Sequence, residues 1–141
     1  MHVVKTRIAL LLIPALLATA CGGGNDNTPV TPVTPAQSVV ENFEGTLTPF
    51  SARTHLFQSQ NAGDVIAQVT GLDPSDTVVG LSLGSSNTFA CQTSLSTERA
   101  TLNSSLSGVT RAAGTLCVHI YDPSDTGLPG PVTYKLQITH F

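Results

Sequence analysis

The chain has 141 residues, of which 11% are charged, with 6 Lys and Arg against 9 Asp and Glu, a formal net charge of -3, and no Trp. So few cations, none of them clustered, exclude a nucleic-acid partner, whose phosphates need grouped Lys and Arg. The length suits one small domain once the N-terminal segments are set aside.

Residues 1–20 read as a secretory leader: Lys5 and Arg7 precede an apolar run from Ile8 to Ala20. That run falls short of the ~20 apolar residues that span a bilayer, and Pro14 weakens a helix within it. Ala18-Thr19-Ala20 also fits an ordinary signal-peptidase site. The stretch Leu16-Leu17-Ala18-Thr19-Ala20-Cys21 resembles the lipobox of bacterial lipoproteins, although Ala18 stands where Leu is usual. The resemblance implies a diacylglycerol on the Cys21 thiol and acyl chains that anchor the protein to a membrane. Gly22 after the cysteine implies the outer membrane in a Gram-negative cell. Loss of Lys5 and Arg7 with the leader takes the formal charge from -3 to -5, so adhesion to an anionic membrane face depends on the lipid.

Residues 21–38 form a tether. Three glycines give flexibility, and Thr28-Pro29-Val30, Thr31-Pro32-Val33 and Thr34-Pro35 favour extended polyproline II. Its reach is up to roughly 50 Å, enough to hold a folded module clear of a lipid surface.

Residues 39–141 are rich in Ser, Thr, Val and Gly and carry no sustained helical period, so they predict an all-β domain. Alternation is clearest in Gly114–Tyr121, with Leu116, Val118 and Ile120 on one face and Thr115, Cys117, His119 and Tyr121 on the other. In Val132–Thr139 the apolar face is Val132, Tyr134, Leu136 and Ile138. Further strands are expected at Val39–Leu47, Thr54–Ser59, Asp64–Thr70, Val78–Leu83, Thr88–Ser94 and Ala100–Leu106. Glu98 and Arg99 suit a short helix or exposed loop. Turn signals every 8 to 12 residues predict a sandwich or barrel.

Phe43-Glu44-Gly45-Thr46-Leu47, Leu56-Phe57, Ala62-Gly63-Asp64-Val65, Val79-Gly80-Leu81-Ser82-Leu83, Ala113-Gly114-Thr115-Leu116-Cys117-Val118-His119-Ile120 and Tyr134-Lys135-Leu136-Gln137-Ile138 follow in order. Together they resemble the bacterial pre-peptidase C-terminal domain, a family appended to secreted proteases and other exported enzymes. The resemblance implies a single jelly-roll-like antiparallel β-sandwich. Some members bind calcium or collagen; here the acidic cluster at the domain start is missing, and Arg53-Thr54-His55 stands where an Asp is common.

Cys91 and Cys117 remain once Cys21 is acylated, and an exported location permits a disulfide between them. Closing a loop of roughly 27 residues constrains the unfolded chain by about 3.5 kcal/mol on the entropic model. The alternative is two free thiols; no Cys-x-x-Cys spacing supports a redox pair.

Gly80-Leu81-Ser82-Leu83-Gly84 matches Gly-x-Ser-x-Gly, and Asp122 and His140 follow in α/β-hydrolase order. A nucleophile elbow needs a strand-to-helix turn in a large sheet, whereas Ser82 sits inside an alternating strand and is expected to face outward. His55, His119 and His140 lack zinc spacing and are expected as exposed strand residues. Asp73-Pro74-Ser75-Asp76-Thr77 recurs as Asp122-Pro123-Ser124-Asp125-Thr126. Asp73, Asp76, Asp122 and Asp125 are calcium candidates, but the bland reading, a Pro-containing turn with Asp capping free amides, is preferred. Tyr121, on the solvent face beside such a turn, is the one candidate carbohydrate contact.

The sequence therefore predicts no cofactor and no catalysis. It predicts a lipid-anchored accessory or binding module of the bacterial cell envelope, its partner an envelope protein or polysaccharide. The alternatives are a purely structural lipoprotein and, further off, a serine hydrolase using Ser82.

Overall fold

The structure, a computed structural model, describes residues 35–87 and 90–141. The leader, Cys21 and residues 21–34 of the tether lie outside the described residues. Those described form eight strands and no helix: β1 (Val39–Leu47), β2 (Ala52–Ser59), β3 (Gly63–Asp73), β4 (Val79–Ser86), β5 (Cys91–Ala100), β6 (Ser105–Thr110), β7 (Gly114–Tyr121) and β8 (Val132–His140).

Pairing follows from folding the chain back on itself between β4 and β5. β1 pairs with β8, β2 with β7, β3 with β6 and β4 with β5, all antiparallel. Two further pairings, β3 with β8 and β4 with β7, roll this long ribbon into sheet A (β1-β8-β3-β6) and sheet B (β2-β7-β4-β5). This is the antiparallel β-sandwich that the alternating pattern predicted as a sandwich or barrel, with the jelly-roll connectivity that the family resemblance implied.

Between the sheets lies the core. Sheet A contributes Leu47, Val65, Ala67, Val69, Leu136 and Ile138, and sheet B contributes Phe57, Val79, Leu81, Leu83, Val118 and Ile120, all buried. Each comes from one parity of its strand, as a pleat with period two requires. Burying a side chain of this class removes about 1.5–3 kcal/mol of exposed apolar cost.

The region between β4 and β7 differs from expectation. The strand expected at Thr88–Ser94 begins at Cys91 and runs to Ala100, so Glu98 and Arg99 lie exposed in β5 and in neither helix nor loop. The next strand is Ser105–Thr110 rather than Ala100–Leu106. β5 is an edge strand whose residues are mostly exposed, so it carries almost no apolar alternation; its pairing with β4 holds it in place.

Candidate functional site

The outer face of sheet B carries a group of polar and aromatic side chains, Ser82, Thr93, Ser96, His119 and Tyr121. Register places His119 of β7 opposite Ser82 of β4, and Tyr121 opposite Gly80. Ser96 of β5 is opposite Ser82 on the other side. With Thr93 these side chains line a hollow of about 300 Å³. Tyr121 lies across Gly80, where a Cβ would approach the ring Cδ2 to 2.6 Å, so the absence of a side chain lets the phenol rest on the sheet. His119 meets Tyr121 edge-on, with ring centroids 5.6 Å apart at 85°. Its Nδ1 is 3.4 Å from Thr54 Oγ1.

Ser82 faces outward as expected but is only 3% exposed, because its neighbours close over it. Its Oγ contacts Thr93 Oγ1 at 3.5 Å. Burial, and then the nearby Glu98 carboxylate, raise the Tyr121 pKa above its usual value, and burial lowers that of His119.

The hydrolase order of Ser82, Asp122 and His140 does not correspond to a cluster. His140 is 1% exposed and belongs to the inner face of sheet A. β8 runs one residue beyond the expected Thr139, and the next side chain in its alternation points inward. Its Nε2 pairs with Glu41 Oε1 at 3.0 Å, and the ring tilts against Phe57 at 5.2 Å. The expectation of an exposed histidine is also corrected at His55, which shares parity with Phe57. It stacks on Phe43 at 4.7 Å, and its Nε2 lies 2.8 Å from the Tyr134 hydroxyl. Gly45 makes room for that phenol: a Cβ there would stand 2.6 Å from the hydroxyl oxygen. Burial lowers the His55 pKa; it raises that of Tyr134, opposed in part by Arg53.

The two copies of Asp-Pro-Ser-Asp-Thr adopt different conformations. In the first, the Asp73–Pro74 bond is cis and Asp73 and Asp76 are exposed. In the second, Asp122 is a hub: Oδ2 accepts the amides of Phe50 (2.8 Å) and Leu128 (2.7 Å), and Oδ1 accepts that of Ser124 (2.9 Å). Burial pushes the Asp122 pKa up, but these three amides together hold it below the usual carboxylate value. Asp125 is exposed. Among the described residues no three His, Cys, Asp or Glu side chains converge as metal ligands would.

Two other hollows, each about 520 Å³, are open and less distinctive. One lies on the outer face of sheet A, where Glu44 is opposite Lys135. The other lies between the two Asp-Pro turns, lined by Asp76, Ser124, Leu128 and Pro129 among others.

Cys91 and Cys117 form a disulfide, with S–S 1.97 Å and Cα atoms 5.9 Å apart. It links β5 to β7, the two strands that flank β4. Sequence reasoning placed Cys117, His119 and Tyr121 on one face but missed that Ser82 joins them, because register between β4 and β7 is not written in either strand alone.

No family model matches the chain, and no curated protein matches it. Among solved structures it is similar to the crystal structure of Aeromonas hydrophila PliG, a periplasmic lysozyme inhibitor of g-type lysozyme. The identity is 11% and the TM-score 0.49, over 70% of this chain and 83% of that one.

Proposed function

We propose that this chain is a lipid-anchored, noncatalytic binding module of the bacterial cell envelope, held on residues 21–38 as a tether. The observation that carries the reading is the combination of a sequence that reads as an export leader over residues 1–20, followed directly by Cys21, with a module closed by the Cys91–Cys117 disulfide. Such bonds persist in oxidising compartments. Acylation of Cys21 supplies the anchor, and Gly22 directs it to the outer membrane in a Gram-negative cell. The resemblance to the pre-peptidase C-terminal domain, a sandwich appended to exported enzymes, belongs to the same proposal. Separation of Ser82 from His140, and the engagement of Asp122 by three amides, support a noncatalytic role.

Mass spectrometry of the protein from native membranes tests the anchor. A mature N-terminus at Cys21 carrying diacylglycerol is expected, and Cys21→Ser moves the module to the soluble envelope fraction. An unmodified Cys21 overturns the anchor. A fluorophosphonate probe tests the chemistry: labelling that disappears in Ser82→Ala overturns the noncatalytic reading.

A further inference from the structure

We propose that the hollow on the outer face of sheet B is a subsite for a neutral glycan, with a pyranose ring stacked on Tyr121. This rests on the reading of the chain as an envelope binding module and names the class of ligand that module takes.

Four observations carry it. First, the phenol lies across Gly80, half-buried, and borders the hollow, so its exposed part offers a ring edge-on to His119 for stacking. Rings held this way stack against the C–H face of a sugar, an apolar surface that aromatic side chains cover well.

Second, the side chains around this ring are hydroxyls and a ring nitrogen: Ser82, Thr93, Ser96 and His119. Hydroxyls both donate and accept, as do the vicinal hydroxyls of a sugar. Ser82 is almost wholly buried, and its single hydroxyl contact is stretched to 3.5 Å, so it gains from a better-placed partner.

Third, the charge is wrong for an anion. Neither Lys nor Arg lines the hollow, and the Glu98 carboxylate acts on the Tyr121 phenol.

Fourth, β7 and β4 are interior strands of sheet B. Their backbone groups are engaged on both sides, so an extended peptide cannot add here by strand pairing, and recognition falls to side chains. At about 300 Å³ the hollow stands at the small end of ligand sites and suits one ring of a longer chain.

The test is a titration of the purified full chain with the β-1,4-linked tetrasaccharides of glucose and of N-acetylglucosamine, with an oligogalacturonate as the anionic comparison. Tyrosine fluorescence is the readout; the chain has two Tyr and no Trp, and Tyr134 is 1% exposed, so the change reports on Tyr121. Saturable, roughly millimolar binding of at least one neutral tetrasaccharide is expected. By calorimetry, Tyr121→Ala weakens it about tenfold while Tyr121→Phe retains most of it. The double variant Thr93→Ala/Ser96→Ala, on the exposed edge strand, weakens it roughly fivefold and guards against a folding defect at Tyr121. Binding of neither neutral sugar, stronger binding of the anionic one, or unchanged affinity in the double variant overturns the subsite. Failure with Cys21 acylated and the serine probe silent removes the glycan and leaves the envelope module standing; glycan binding with Cys21 unmodified does the reverse.

Discussion

The Asp122 carboxylate reaches Phe50, 72 residues away in sequence, and fixes it by accepting its amide at 2.8 Å. Phe50 adopts φ 60°, and its ring lies over Gly127, itself at φ 79°. The turn after β1 and the loop after β7 are thereby tied at one end of the sandwich. The tie also explains a left-handed conformation at a bulky residue, which is uncommon without such support.

Asp122→Ala leaves three amides without their acceptor and is expected to cost about 2 kcal/mol, a figure already reduced for the partial exposure of the carboxylate. Because the folded-state pKa is depressed, this contribution is present above the unfolded value and is lost as pH falls through the folded one. The gap in melting temperature between parent and variant therefore narrows below about pH 4. A gap that stays constant down to pH 2, roughly two units lower, contradicts the assignment.

Reduction of Cys91–Cys117, or replacement of both residues by Ala, lowers stability by about 3.5 kcal/mol on the entropic model. Urea unfolding with and without reductant measures it. Because Cys117 is fully buried, a thiol reagent modifies it in the native protein only after reduction and local opening.

Burial holds the pKa of both His55 and His119 below 6.5 in the folded protein, so the unfolded chain binds more protons just below that pH. Stability is then full above pH 6.5 and declines as pH falls toward the folded-state values. His55→Gln and His119→Gln each remove part of that decline, read as the slope of unfolding free energy between pH 7 and about 5. Tyr134→Phe removes the hydroxyl that meets His55 Nε2 and costs about 1 kcal/mol.

Glu41→Ala deprives a fully enclosed imidazole of its hydrogen-bond partner and is expected to cost about 1–3 kcal/mol. Glu41→Leu combined with His140→Phe removes both polar groups and costs less than Glu41→Ala alone. Denaturant midpoints of the three proteins decide the point. A double variant weaker than the single one shows that His140 matters by its shape in the core.

Calcium makes a further check on the recurring Asp-Pro turns. Asp122 spends its oxygens on backbone amides, and Asp73, Asp76 and Asp125 are exposed. A native-state ligand raises the melting temperature by mass action, so added calcium is expected to leave it unchanged.

Much of the architecture could be read along the chain because a pleated strand exposes its faces alternately. Val79, Leu81 and Leu83, or Leu116, Val118 and Ile120, declare their inner side by spacing alone. Local pattern fails where a strand is held by its neighbour instead of by its own apolar face, as in β5. It fails again where one residue more or less reverses a side chain, as at His140. The export leader, the tether, the jelly-roll class and the pairing of Cys91 with Cys117 were readings of the sequence; of these, the structure describes the sandwich and the disulfide. Which side chains meet was decided by register and sheet order. Those relations place Ser82 beside His119, His55 against Tyr134, and Asp122 under Phe50. They are contacts between segments tens of residues apart, set by how the ribbon rolls, and no strand carries that information by itself.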